Sequence, residues 1–235
     1  MPNEYELRVK EIIQRAYNVK SVRLEVSEPI DYKAGQFCCV SVKQEPVCKR
    51  YLSISSSPTE TGYIEFTKKI TQSDFSKSLE VLKPLDTLRV QYPLGKFTLE
   101  DPQARVAFIS GGIGITPIRS ICKYVVDENL GTDMVLVYAN RSAEDAVFKD
   151  DFDQMQKLYP RLKVAHVLCE PEPGFKCTAG LINSRVIKNE VPDFGKRKFY
   201  LCGPVKMVEE MKEILNEELG IKKENIITEN FTGYQ

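Results

Sequence analysis

The 235-residue sequence has one histidine, no two cysteines spaced Cys-x-x-Cys, and no excess of charge of either sign, with 33 basic and 33 acidic residues. With one histidine, a Ser-His or Cys-His hydrolase would depend on that residue alone. His166 lies in the apolar run Val164-Ala165-His166-Val167-Leu168, which reads as a strand of a sheet. Seven cysteines, at 38, 39, 48, 122, 169, 177 and 202, form an odd set without metal-ligand spacing. They suggest neither a disulfide framework nor a zinc or iron–sulfur cluster, and read as reduced thiols of a cytoplasmic protein, most of them packing residues. No run of about 18 apolar residues occurs, and the first ten residues, MPNEYELRVK, carry acidic side chains and no apolar core, so neither membrane spanning nor secretion is expected. Charge is balanced in both parts, 15 basic to 14 acidic through Pro102 and 18 to 19 beyond, which leaves no electrostatic footprint for nucleic acid.

The chain does have a glycine-rich turn. Ser110-Gly111-Gly112-Ile113-Gly114-Ile115-Thr116-Pro117 follows the apolar run Val106–Ile109 and precedes Ile118, Ile121, Val125 and Val126, which recur at roughly helical spacing. A strand enters the turn and a helix leaves it. Glycine lets backbone N–H groups and the positive end of a helix approach a phosphate, so a phosphorylated cofactor is expected there. No Gly-Lys-Ser/Thr follows, which disfavours a nucleoside triphosphate.

The first hundred residues read as short alternating strands, at 21–26, 36–42, 50–54, 62–68 and 87–91, with one helix over Asp74–Val81. This texture predicts an antiparallel barrel. From Ala104 strands alternate with helices, including a last helix over Val205–Leu219, which predicts a parallel α/β sheet. Thr98–Gln103 reads as the linker, dividing the chain into 1–99 and 104–235.

Three motifs occur in order: Arg50-Tyr51-Leu52-Ser53 in the barrel part, Gly111–Pro117 opening the α/β part, and Cys202-Gly203-Pro204 after a late strand. Together they resemble the ferredoxin–NADP reductase superfamily over nearly the whole chain. The resemblance implies a barrel that holds a flavin and an α/β domain that holds a nicotinamide nucleotide, with hydride passing between them at the interface.

It also implies roles for residues. In the family's Arg-x-Tyr-Ser, leucine here replaces the aromatic that packs on the flavin, so Arg50 is expected on a phosphate, Ser53 near the reactive nitrogen, and Leu52 as a variant beside the ring. Arginine suits a phosphate because its planar fork donates two parallel charged hydrogen bonds. By the period-two rule Tyr51 points to the other face of the strand, unless an irregular strand brings it to the ring. Ser73-Asp74-Phe75-Ser76 fills the element that receives the flavin pyrophosphate, with Asp74 turned outward, or else Ser73 only caps the helix. The flavin is FAD, with FMN as the alternative. Pro93–Phe97 matches a barrel-closing turn.

Gly111, Gly112, Gly114 and Thr116 look like the nucleotide's pyrophosphate loop, and Cys202, Gly203 and Pro204 like the segment beside the nicotinamide. The thiol there positions rather than attacks. Asn140 and Asp145 resemble the NADH-using branches, whereas Arg141 argues for NADPH; NADH is the expectation. Glu229-Asn230-Phe231 resembles a tail that returns to the flavin, with Phe231 covering the ring, or else forms a plain edge strand. Ser53, Cys202 and Glu229 are thus the candidate catalytic residues, and no metal is expected. Such a reductase holds donor carbon and flavin nitrogen in near-attack contact, roughly 3–3.5 Å apart, and passes electrons to a separate ferredoxin-, haem- or oxygenase-type protein. The competing reading is a flavin-binding subunit without turnover of its own.

Overall fold

The computed structural model describes residues 3–27, 31–42 and 48–229. Its first half holds six strands, β1 (Asn3–Ala16), β2 (Val19–Glu25), β3 (Phe37–Val42), β4 (Cys48–Ser53), β5 (Tyr63–Lys69) and β6 (Thr87–Leu94), with helix α1 (Asp74–Val81) between the last two. They form one antiparallel sheet in the order β4-β3-β6-β1-β2-β5. An Ile54–Phe66 bridge joins the two edges, which gives the barrel expected from the sequence. Alternate side chains, among them Val22, Leu24, Val40, Ile54, Phe66 and Val90, fill its interior, and α1 adds Phe75 and Leu79.

One strand was not evident in the sequence. β1 is the central pairing partner of β2 and β6, yet its first four residues are exposed and a register shift between Val9 and Glu11 breaks its alternation. Ile12 and Ile13 follow one another instead of alternating, so the period-two signal is lost.

The second half is a six-stranded parallel sheet of β7 (Arg105–Gly111), β8 (Asp133–Asn140), β9 (Leu162–Leu168), β10 (Thr178–Ala179), β11 (Lys198–Cys202) and β12 (Ile226–Glu229), in the order β10-β9-β8-β7-β11-β12. Helices α2 (Ile115–Asp127) and α3 (Lys149–Leu158) cover one face; α4 (Ser184–Glu190) and α5 (Val205–Glu213) cover the other. The helix expected over Val205–Leu219 stops being α-helical at Glu213 and continues as a wider π-type turn over Ile214–Glu218. Residues 95–104 carry neither helix nor strand. Val19, Ala34 and Phe97 of the barrel pack into the same cluster as Ile115, Ile118 and Ile121 of α2. α2 is therefore buried on two sides, by the sheet and by the barrel. Among the described residues no helix is long and apolar enough to cross a membrane.

Candidate functional site

Strand order reverses between β7 and β11, whose neighbours lie on opposite sides. Such a switch point leaves a crevice at the carboxyl ends of the strands, where ligands enter open α/β sheets. Ser110 and Cys202 face each other there as register partners. The register extends in one row across five strands: Glu229, Cys202, Ser110, Tyr138 and His166. Paired residues of a parallel sheet point to the same face, so all five share one. Ser110 Oγ, His166 Nδ1 and Glu229 Oε2 are buried without a hydrogen-bond partner among the described residues. Buried polar atoms are nearly always paired, so three orphans in one row mark a surface built for something polar.

Electrostatics in the row favour neutral groups. Burial pushes the Glu229 carboxyl up to about 8. Burial, then the neighbouring Glu229, pushes the Cys202 thiol well above its ordinary value. Cys202 is thus a thiol and not a thiolate. His166 packs between Tyr138 and Phe175, with ring centroids 5.9 and 5.1 Å away, and burial lowers its pKa.

The glycines of the loop divide their work. A Cβ on Gly114 would lie 2.3 Å from the Cys202 carbonyl oxygen, and one on Gly111 would lie 2.4 Å from Met207 Sδ. These two let the loop close against Cys202, Gly203 and Pro204. Gly112 alone has open space around its Cβ position and a left-handed φ of +52°. Its backbone is the part of the loop free to meet a ligand, and its carbonyl accepts from Tyr138 Oη at 3.2 Å. The Thr116 hydroxyl donates to the Ile113 carbonyl at 3.1 Å.

On the barrel, β4 alternates as expected. Leu52 faces the core, whereas Tyr51 lies on the outer face, 54 % exposed and edge-on to Phe37 at 5.8 Å. In this arrangement Leu52 packs in the barrel interior and not on an open ring-binding face. Ser53 is buried, and its Oγ is the fourth orphaned side-chain atom. The Arg50 guanidinium lies 5.9 Å from the Phe75 ring of α1. Ser73 caps α1 by accepting from the Ser76 N–H at 3.3 Å, and the Ser76 hydroxyl lies 3.0 Å from that of Ser73. Asp74 is turned outward to Lys77, 3.6 Å away. Burial, then proximity to Arg50, lowers the pKa of Lys68. Arg50 and Lys68 are thus close enough to act on each other's charge, and Arg50 lies against Phe75 in the first turn of α1. The sequence signal for Lys68 is slight, a basic pair, Lys68-Lys69, closing a strand.

The two halves meet at the row. Ser53 is the register partner of Phe37, whose ring lies 2.6 Å from a Cβ position on Gly95. Glu229 Oε1 lies 3.4 Å from that same position. Phe37, Gly95 and Glu229 therefore bring the barrel against the crevice at the strand ends, with Ser53 beside Phe37 and Cys202 beside Glu229. Phe231 lies outside the described residues.

At the end of β8, the buried Asn140 amide turns back on its own loop, donating to the Asp145 and Ala139 carbonyls at 3.1 and 3.2 Å. Asp145 Oδ2 accepts from the N–H and hydroxyl of Ser142 at 3.3 and 3.0 Å. Arg141 donates to Glu170 at 2.8 Å, and Glu172 accepts from the Ala143 N–H at 3.3 Å. Among the described residues no group of three or more His, Cys, Asp or Glu could hold a metal. The seven cysteines are free; Cys38, Cys39, Cys122 and Cys202 are buried, but Cys169 is exposed, which corrects its assignment to packing.

The sequence matches the oxidoreductase FAD-binding domain over residues 4–99 and the oxidoreductase NAD-binding domain over residues 108–213. It is 32 % identical over 239 residues to NADH-cytochrome b5 reductase 1 of Aspergillus terreus, covering 94 % of this chain and 80 % of that one. It is 31 % identical over 219 residues to the glycine betaine monooxygenase reductase subunit of Pseudomonas aeruginosa, covering 89 % of this chain but only 59 % of that longer protein. The fold superimposes on the cytochrome b5 reductase domain of Ulva prolifera nitrate reductase with a TM-score of 0.86 at 22 % identity, covering 97 % of both.

Proposed function

The chain belongs to the ferredoxin–NADP reductase superfamily, carrying its FAD-binding and NAD-binding domains, and on that premise we propose that it takes hydride from NADH and passes electrons to a separate acceptor protein. The observation that carries this reading is that Ser53 Oγ on the barrel side, and Ser110 Oγ and Glu229 Oε2 at the strand ends of the parallel sheet, are all buried and unpartnered. Orphaned donors and acceptors of this kind fit a flat heterocycle with polar edges, and Arg50, Lys68 and the start of α1 fit its diphosphate. The flavin-binding part is assigned to residues 1–99 and the nucleotide-binding part to 104–235.

Bound FAD would supply the two-electron chemistry and its conversion to single electrons. The chain's own groups bind and orient. Ser53 offers a neutral hydroxyl, Gly112 an open backbone, and Cys202 a small uncharged side chain beside the nucleotide loop. Glu229, neutral near pH 7, can hold a proton at Oε2 inside the cleft without placing a charge there.

The preference for NADH is supported by the turn after β8. Arg141, the cation that would take a 2′-phosphate, is already paired with Glu170, and Glu172 and Asp145 stand nearby. An extra phosphate would meet net negative charge. The acceptor is proposed from relatives whose names include a monooxygenase reductase subunit and a cytochrome b5 reductase: an oxygenase component or a small haem protein.

The test is anaerobic addition of NADH, and separately NADPH, to FAD-reconstituted protein while the visible flavin band is followed. Rapid bleaching by NADH, slower by NADPH and slowed further by Ser53→Ala, is expected. Persistence of the oxidised spectrum with both nucleotides would overturn the reading in favour of a flavin-binding subunit that turns over only within a larger complex.

A further inference from the structure

α2 connects two parts of the cleft. Its first turn continues the glycine loop, and one turn later Arg119 is buried at 5 % exposure among apolar neighbours. A buried guanidinium persists only where its donors are met, and here every direction is. Nη1 and Nη2 fork onto Glu60 of the β4–β5 loop, with Nη2 3.0 Å from Oε1. Nε and Nη2 donate to Asp151 of α3 at 2.9 and 2.8 Å. Nη1 also donates to the Ser55 carbonyl at 3.1 Å. The next residue, Ser120, donates its hydroxyl to the Ser56 carbonyl at 2.6 Å.

The barrel partners are not arbitrary surface groups. Ser55 and Ser56 are the second and third residues after Ser53, joined to it through the Ile54–Phe66 closure. Glu60 is itself fixed by the Ser57 N–H at 2.7 Å and the Tyr63 hydroxyl at 3.0 Å. Phe148, which holds a left-handed φ of 63° before α3, packs between Arg119 and Arg15, 5.6 and 4.8 Å from its ring centre. Arg119 thus ties one rigid helix, carrying the nucleotide loop, to the strand end that carries Ser53.

We propose that Arg119 is a positioning residue for hydride transfer: its three-way clamp on Glu60, Asp151 and the Ser55 carbonyl sets the approach of the Gly112–Thr116 loop to Ser53. The inference rests on the reductase reading above. A misplacement of about 1 Å far from the chemistry can cost about a hundredfold in rate, which is the scale on which such a clamp acts. Lysine at this position keeps the charge but offers a single point donor, so it cannot span the three acceptors.

The test compares wild type with Arg119→Lys, Arg119→Gln and Glu60→Gln, the last retaining a side-chain oxygen as acceptor. In the FAD-reconstituted proteins, the limiting rate of flavin reduction by NADH should fall at least tenfold while half-saturating NADH changes less than threefold. In the same proteins without nucleotide, amide hydrogen exchange should rise at least tenfold over residues 54–60 and 112–120 while β1, β6, β7 and β8 keep their protection. Uniform acceleration of exchange, wild-type exchange, or a change in half-saturation alone would overturn the proposal. Should wild type itself resist reduction, the reductase reading falls, and the exchange pattern still decides whether the clamp exists. Should Arg119→Gln fail to fold, Glu60→Gln and Arg119→Lys carry the comparison.

Discussion

Glu229 and Cys202 end adjacent parallel strands as register partners, and burial drives both toward their uncharged forms. Around neutral pH this corner of the cleft therefore holds two protons and no charge. For Glu229 the folded pKa of about 8 exceeds the ordinary value of 4.5, so the folded state binds its proton more tightly than the unfolded state. The protonated carboxyl is fully tolerated below pH 4.5, and stability is lost as pH rises through about 8. Glu229→Gln should remove this dependence and exceed wild type in stability above pH 8, by on the order of 5 kcal/mol, as read from urea unfolding at a series of pH values. A pH dependence identical to wild type would refute the assignment.

The two kinds of loop glycine should respond differently to alanine. Gly112→Ala places a Cβ in open space but on a left-handed backbone, for about 1–2 kcal/mol of stability. Gly114→Ala drives a Cβ into the Cys202 backbone, which must move; a loss of on the order of 3 kcal/mol or more is expected, together with disturbance of the cleft. Chemical denaturation of both variants ranks them, and a Gly112 variant less stable than the Gly114 variant would reverse the assignment.

The thiols should sort by accessibility and charge. Brief iodoacetamide treatment near neutral pH should alkylate Cys169 first and leave Cys38, Cys39, Cys122 and Cys202 untouched until the protein unfolds. Peptide mass spectrometry reads the order; early modification of Cys202 would contradict its burial.

Glu170→Lys would release Arg141 and add a second cation to the turn after β8. The ratio of NADPH to NADH efficiency should move about three- to tenfold toward NADPH, and the shift should shrink in high salt because the pair is exposed. An unchanged ratio would detach nucleotide choice from this turn.

Much of the molecule was legible in its residues where local rules act alone. α1 occupies Asp74–Val81 as expected, because Ser73 can cap it and Phe75 and Leu79 share its buried face. The glycine turn sits between β7 and α2, since an apolar run, glycines and a helical period follow in sequence. Long-range matters were hidden. β1 lost its alternation at a register shift that only its partners reveal. Arg119 stands among the buried residues of α2, and its meaning comes from Glu60, 59 residues earlier, and Asp151, 32 residues later. The alignment of Glu229, Cys202, Ser110, Tyr138 and His166 arises from strand order, which composition and period do not encode.

The barrel lends Val19, Ala34 and Phe97 to the apolar cluster beneath α2, and Phe97 meets Tyr200 of β11 edge-on at 5.4 Å. Neither half owns that cluster. Separating them would strip one wall from the α2 layer and bare the Ser55 and Ser56 carbonyls together with an arginine left with Asp151 as its one acidic partner. Melting should therefore be all-or-none, a single sharp transition across the chain, with the last helical layer and the barrel losing their order at one temperature.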